Sequence, residues 1–321
     1  MAGPQTAFGR LAILAVSFSR FGLEDSAPGV IESRGATGDR LMQWDTVAIV
    51  GVGLIGGSIG LGLRQRELAR RVVGVGRSAA SLRRAKQIGA VTSTTLELAR
   101  GVAKADLVIV CTPVGRIVED VQAAATACRP GLLITDAGST KAEIVSALDG
   151  QLNGKAHFVG SHPLAGGEKN GPGAASPELF VGRTVVVTPT KKTRQEDYAA
   201  LHALWTDLGA NVVSMSPADH DRILAGTSHL PHLAAAALAA ATPEDDLQWT
   251  ASGWLDTTRV AAGDAELWRQ IFSSNRAHVL KALVRYEKVL ASLRRALEQG
   301  DDKKLTEILL QAKRRRDAVG S

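Results

Sequence analysis

"TVAIVGVGLIGGS", residues 46–58, decides the fold. Its first five residues read as a short buried strand. Gly51, Gly53 and Gly56 then follow in GxGxxG spacing, and the helix-favouring run "SIGLGLRQREL" comes directly after. In such a strand–turn–helix unit the first glycine permits a tight turn and the second lets backbone approach a pyrophosphate. The third lets the helix pack close on the strand. The helix start then turns unpaired N–H groups and a partial positive charge towards the phosphates. Gly51, Gly53, Leu54, Ile55 and Gly56 are therefore candidate cofactor-binding positions. A bare glycine motif is weak; here the strand before it and the helix after it carry the reading against a plain glycine-rich turn.

Working outward, "VVGV" (72–75), "LVIVC" (107–111), "LLIT" (132–135), "HFVG" (157–160), "TVVVT" (184–188) and "NVVSM" (211–215) read as further strands. Amphipathic helical stretches separate most of them. Apolar strands alternating with helices predict a mostly parallel sheet covered on both faces, an α/β fold of Rossmann type. After Ser216-Pro217 no further strand is readable. Proline suits a first helical turn, and the remainder is helix-periodic. The expected organisation is a poorly ordered extension over 1–44, a dinucleotide-binding domain over 45–216 and an all-helical substrate and dimerisation domain over 217–321. Met42, just ahead of the first strand, is a candidate start.

Composition narrows the class. The 321 residues carry 38 Lys and Arg against 32 Asp and Glu, a net charge of +6. Much of the excess sits in the helix-periodic "SLRRALEQ" and "QAKRRRD", which read as solvated faces rather than a nucleic-acid site. Two cysteines, Cys111 and Cys128, form no CxxC pair and suit a reducing cytoplasm. No uninterrupted apolar run reaches the ~18 residues of a membrane span. "LAILAVSF" (11–18) is too short and lacks a signal-peptide cleavage site, so no membrane partner is expected.

The cofactor edge can be read further. An NAD site usually has a carboxylate at the tip of its second strand. Here "VVGVGRS" places Gly76 at that tip, with Arg77 and Ser78 following. Without the carboxylate a 2′-phosphate is not repelled, and a guanidinium can pair with it. NADP is therefore favoured over NAD, with Arg77 as an ordinary surface residue the alternative. Ligands in open α/β sheets sit at the carboxyl ends of strands. The later strands end in Cys111-Thr112-Pro113, in Asp136 to Lys141 with Ser139 between them, and in Ser161-His162-Pro163. A histidine beside a nicotinamide can accept the proton of a hydroxyl undergoing oxidation. With an ordinary imidazole this predicts an acid limb near pH ~6–7; a histidine that only braces the turn is the alternative.

Several stretches in order, "VGLIGGS", "DAGSTK", "GSHPLAGGEKNG", "LFVGRTVVVTP", "SHLPH" and "DTTRVAAGDAELWRQIFSSNR", are similar to the prephenate and arogenate dehydrogenases of tyrosine biosynthesis over about residues 45–290. The resemblance implies a dinucleotide-binding domain followed by a helical dimerisation domain, hence a homodimer. It implies NAD(P)-dependent oxidative decarboxylation of prephenate to 4-hydroxyphenylpyruvate, or of arogenate to tyrosine. By the same resemblance His162 takes the ring hydroxyl's proton and Ser139 orients that hydroxyl and the nicotinamide. Arg259 holds the ring carboxylate, while Ser228, His229, His232, Glu168 and Trp268 line the substrate pocket. A loop position that often carries a hydroxyl residue is Gly167 here. A metal at His229 and His232 finds no third ligand by spacing. A 3-hydroxyacid dehydrogenase explains the glycine motif but not "SHLPH" or "DTTR". A dinucleotide sensor leaves the His162, Ser139 and Arg259 set unexplained.

Overall fold

The computed structural model describes residues 44–152, 154–167 and 170–320. The expected extension up to Gln43, and Glu168 in the glycine-rich loop, lie outside the described residues. One sheet organises the rest. Its strands are β1 (Trp44–Val50), β2 (Ala69–Val75), β3 (Ser93–Thr95), β4 (Leu107–Val110), β5 (Leu132–Asp136), β6 (Ala156–Pro163), β7 (Thr184–Thr188) and β8 (Asn211–Ser214). Their order across the sheet is β3-β2-β1-β4-β5-β6-β7-β8. The first six are parallel, whereas β7 runs antiparallel to β6 and β8 follows β7. The sheet is thus mostly parallel and doubly wound, with helices on both faces.

Strand alternation divides the core. Val47 and Ile49 of β1 and Leu107 and Ile109 of β4 point to one face, packing with Ile59, Leu63, Leu201, Leu204 and Trp205 of the helices Leu54–Gln65 and Gln195–Asp207. Ala48, Val50, Val108 and Val110 point to the other, under Ile117 and Val121 of Val114–Ala127 and Ile144 and Leu148 of Ala142–Leu148. Two details depart from the sequence reading. β3 has only three residues, too few to show alternation. β6 does not end at Gly160 but continues through His162 to Pro163, because β7 pairs with it there, His162 opposite Val186.

From Pro217 the described chain is helical. Ser216 caps the first helix by accepting from the Asp219 N–H at 3.0 Å, with Pro217 in the first turn. Three consecutive pieces, Pro217–Leu224, a wide turn over Ala225–His229 and Leu230–Ala241, form one run. In the wide turn Leu230 N–H reaches back five residues to the Ala225 carbonyl. Pro231 explains it: proline has no N–H to give and crowds the carbonyl four residues back, and a widened turn relieves both. By length and composition this run could also cross a membrane, yet it carries Asp219, His220, Asp221 and Arg222, and His220 and Asp221 are fully buried. The helix Ala265–Ser274 fastens the helical part to the sheet. Its Ile271 joins the second-face core, Gln270 accepts from the Gly115 N–H at 3.0 Å, and Ser274 Oγ bonds Thr140 Oγ1 at 2.9 Å.

Candidate active site

Register aligns Val50, Val110 and Asp136 at the carboxyl ends of β1, β4 and β5. The turns beyond them therefore open on one edge of the sheet, beside the point where strand order reverses. A cleft of about 650 Å³ lies there. Of the predicted cofactor positions, Gly51, Gly53, Arg77, Ser78, Thr112 and Pro113 line it. Gly51 has φ +91°, and a Cβ on it would sit 2.7 Å from the Cys111 carbonyl oxygen. A Cβ on Gly56 would sit 2.3 Å from the Gly51 carbonyl oxygen. Gly53 meets nothing within 4 Å and faces open space. Leu54, Ile55 and Gly56 are not in the cleft wall; they form the first turn of the helix Leu54–Gln65. Gly53 caps that helix without a side-chain acceptor, and the first intrahelical bond joins Gly57 N–H to the Gly53 carbonyl. The N–H groups before it are left for an anion. This cradle fits the pyrophosphate of a dinucleotide.

Around the cleft, Arg77 is exposed, and the Ser78 hydroxyl caps the next helix by accepting from Ser81 N–H at 3.3 Å. Thr112 donates to Asp120 at 2.7 Å, and Arg116 holds the same carboxylate at 3.2 Å. Sequence reasoning missed Asp120 and Arg116; one turn apart on a helix, they carry no motif.

The turn after β5 hangs on a buried ion pair. Asp136 and Lys141 are both fully buried and in contact. Asp136 also accepts from Gly138 N–H at 2.8 Å and Ser161 N–H at 3.1 Å. Removing one partner of such a pair costs about 3–5 kcal/mol, because the other charge is left buried and alone. The pair thus fixes both the loop bearing half-buried Ser139 and the backbone beside His162.

His162 is half-buried, and its Nδ1 lies 2.8 Å from His220 Nε2. His220 Nδ1 lies 2.7 Å from Asp221 Oδ1. Burial, then the proximity of His220, Lys141 and His229, hold the His162 imidazole well below its ordinary 6.5. The expected acid limb near pH 6–7 therefore moves down. His229 is fully buried, with Nδ1 3.1 Å from Asn275 Nδ2, and burial first of all lowers it to about 4. His232 stacks on Trp268 with ring centroids 3.6 Å apart, and Trp268 also meets His229 edge-on at 6.3 Å. A Cβ on Gly263 would strike Trp268 Nε1 at 2.7 Å, so the absence of a side chain there makes room for the stack. His229, Trp268 and His232 thus form one continuous group, and His229 lies near enough to His162 to influence its charge. Half-buried Ser228 lies in the wide turn. Exposed Arg259 opens the short helical turn Arg259–Ala262, which packs against the helix of His232.

Both parts of the chain match known patterns. The family model described as "Prephenate dehydrogenase, nucleotide-binding domain" matches residues 59–214, and that described as "Prephenate dehydrogenase, dimerization domain" matches 216–311. This chain belongs to the prephenate dehydrogenase family. It is 33% identical over 282 residues to a prephenate dehydrogenase of Bacillus subtilis, covering 86% of this chain and 76% of that one. A crystal structure of the Aquifex aeolicus prephenate dehydrogenase with hydroxyphenyl propionate and NAD+ superposes with TM-score 0.80 at 33% identity, over 86% and 98% of the two chains. A Synechocystis arogenate dehydrogenase superposes with TM-score 0.71 at 30% identity, over 85% and 99%. As a member of the prephenate dehydrogenase family the chain is an NAD(P)-dependent dehydrogenase. Around His162, sequence reasoning also missed His220, Asp221 and Asn275. The signal for the first two was visible in "SPADHDR" (216–222), where His220 stands between two acids just inside a capped helix.

Proposed function

We propose that this chain catalyses the oxidative decarboxylation of prephenate to 4-hydroxyphenylpyruvate, using NADP in preference to NAD. The observation that carries the reading is the placement of His162. It stands at the carboxyl edge of the sheet with one ring nitrogen engaged and the other left for substrate. A nicotinamide bound at that edge supplies the hydride acceptor. His162 takes the hydroxyl proton as the C–H bond on the carbinol carbon breaks. The electrons of the opposite C–CO2 bond then flow into the ring, CO2 leaves, and the proton returns to the phenol oxygen, so none is released overall. General base help of this kind is worth about 10²–10⁴-fold.

Ser139 orients the hydroxyl, and Arg259 receives the ring carboxylate, where a guanidinium's two parallel bonds fix direction better than a lysine does. His229 and the stacked His232 and Trp268 surround the side chain of the substrate, with Ser228 beside them. The NADP preference rests on Gly76 at the β2 tip and exposed Arg77 next to it in the cleft. We further place the enzyme in the cytoplasm, as a homodimer with a sheet domain over 45–216 and a helical domain from 217, without membrane or nucleic-acid partners. The test is a four-way kinetic comparison of prephenate and arogenate with NADP and NAD, read by absorbance of the reduced cofactor. Higher kcat/KM with prephenate and NADP is expected. Preference for arogenate would reassign the side-chain pocket, and a tenfold preference for NAD would overturn the reading of the β2 tip.

A further inference from the structure

Two hydrogen-bond chains meet at residue 221 and end on different histidines of the site. In the first, the Asp221 carboxylate accepts from Lys141 N–H at 2.8 Å, from Ala142 N–H at 2.9 Å and from His220 Nδ1 at 2.7 Å. Burial pushes the Asp221 carboxyl up, but the bonds from His220, Ala142 and Lys141 outweigh this and hold it below the usual carboxylate range. An ionised carboxylate only accepts, so His220 Nδ1 must carry its hydrogen. In a neutral His220, Nε2 is then bare and accepts from His162 Nδ1. That leaves His162 Nε2 bare.

The second chain runs through Asn275, itself buried. Its Nδ2 lies 2.7 Å from the Asp221 backbone carbonyl, which also only accepts. The amide is thus oriented by its partner, with nitrogen rather than oxygen on that side. The other hydrogen of the same NH₂ meets His229 Nδ1 at 3.1 Å, while Asn275 Oδ1 accepts from His278 Nδ1 at 3.0 Å. His229 Nδ1 must therefore be bare. His229 is neutral at pH 7, since burial has lowered it to about 4, so its hydrogen is on Nε2.

We propose that His220, Asp221 and Asn275 are positioning residues that lock the two site histidines in opposite proton states, His162 with a bare Nε2 and His229 with an Nε2–H. The site then presents an acceptor and a donor through chemically identical rings. The acceptor faces a hydroxyl that loses its proton; the donor suits a carboxylate or keto oxygen on the same substrate. This rests on the reading of His162 as the proton acceptor, because only a bare Nε2 can serve. The competing arrangement is a doubly protonated His220 that donates to His162 and forces the hydrogen onto its Nε2.

The experiment is a long-range ¹H–¹⁵N correlation spectrum of the full chain labelled at histidine, near neutral pH, assigned with His162→Asn and His229→Gln. Expected are a protonated Nδ1 and bare Nε2 for His162 and the reverse for His229. An Nε2–H on His162, a doubly protonated His220, or the same tautomer on both rings would overturn the proposal. Asp221→Ala takes away the acceptor that keeps the hydrogen on His220 Nδ1, so His162 should lose its fixed tautomer, with kcat down at least tenfold and KM nearly unchanged. Should that variant fold poorly, His220→Gln and His220→Leu decide. The glutamine carbonyl can still accept from His162 Nδ1, so it should retain at least tenfold more kcat than the leucine; equal losses would count against the lock. Because the spectrum is read without substrate, near-normal turnover of His162→Asn would remove the base reading while the proton assignment stood.

Discussion

As the proposed proton acceptor, His162 meets two demands on one proton. The ring must stay uncharged to accept, and it must stay basic enough to hold what it accepts. Burial and the neighbouring His220, Lys141 and His229 favour the first demand by holding the imidazole well below 6.5. On that reading activity needs the neutral form, so it should be lost as pH falls through that lowered value and be present above it. The kcat/KM profile, which reports the free enzyme, should thus be flat from neutrality to well below pH 6.5 before it drops. The drop should vanish in His162→Asn, with kcat lower by about 10²–10⁴-fold. An acid limb centred at 6.5 in the wild type would mean that His162 meets water freely. His162 could be found from sequence because its neighbours form a local motif. Its partner carried only the weak signal of an acid on either side, and the pairing itself was not legible: His220 lies 58 residues away, and only the packing of a helix against the sheet edge brings the rings together.

Among elements, the tip of β2 is where a single residue decides most. Gly76 has an ordinary backbone, and a Cβ there would approach only the flexible end of Leu82, at 3.3 Å. Gly76→Asp is therefore tolerable to the fold, and its carboxylate would accept from a ribose hydroxyl and repel a 2′-phosphate. The ratio of kcat/KM for NAD over NADP should rise at least tenfold; an unchanged ratio would place the specificity elsewhere in the cleft. Gly51 and Gly56 are different. A side chain there meets backbone oxygen at 2.7 and 2.3 Å, so the turn itself would have to move. Elements were legible in proportion to their local signal. Seven strands showed as β-branched runs and the boundary helix as Ser-Pro. The three-residue β3 left no pattern, and the reversed direction of β7 is invisible in a run of valines. Pro231 inside an apolar helix was a readable warning of the wide turn before it.

On the scale of the whole molecule the two parts are unequally finished. The sheet buries a core on each face, whereas beyond Pro217 the separate core among the described residues consists of Ala225, Val279 and Ala282 with a few flanking side chains. Leu280, Val284, Val289, Leu290, Leu297 and Leu309 remain exposed on the last two helices. Apolar surface of this extent calls for a cover, and the proposed two-fold partner would supply one. Sedimentation at micromolar concentration should give twice the chain mass of 33.7 kDa; a monomer would sink the homodimer.

Asp221 has a consequence for how such an enzyme can change over time. One carboxylate from the helical part both caps the start of Ala142–Leu148, behind the sheet, and steadies the histidine that touches His162. The two parts therefore cannot be shuffled like separate modules. A chimera joining this sheet to foreign helices would keep its nucleotide cleft and still bind cofactor, yet it would turn over slowly unless the donor brought a matching His-Asp pair at the same seam. Drift at that seam would be felt in folding and in catalysis together, which ties the inheritance of one part to that of the other.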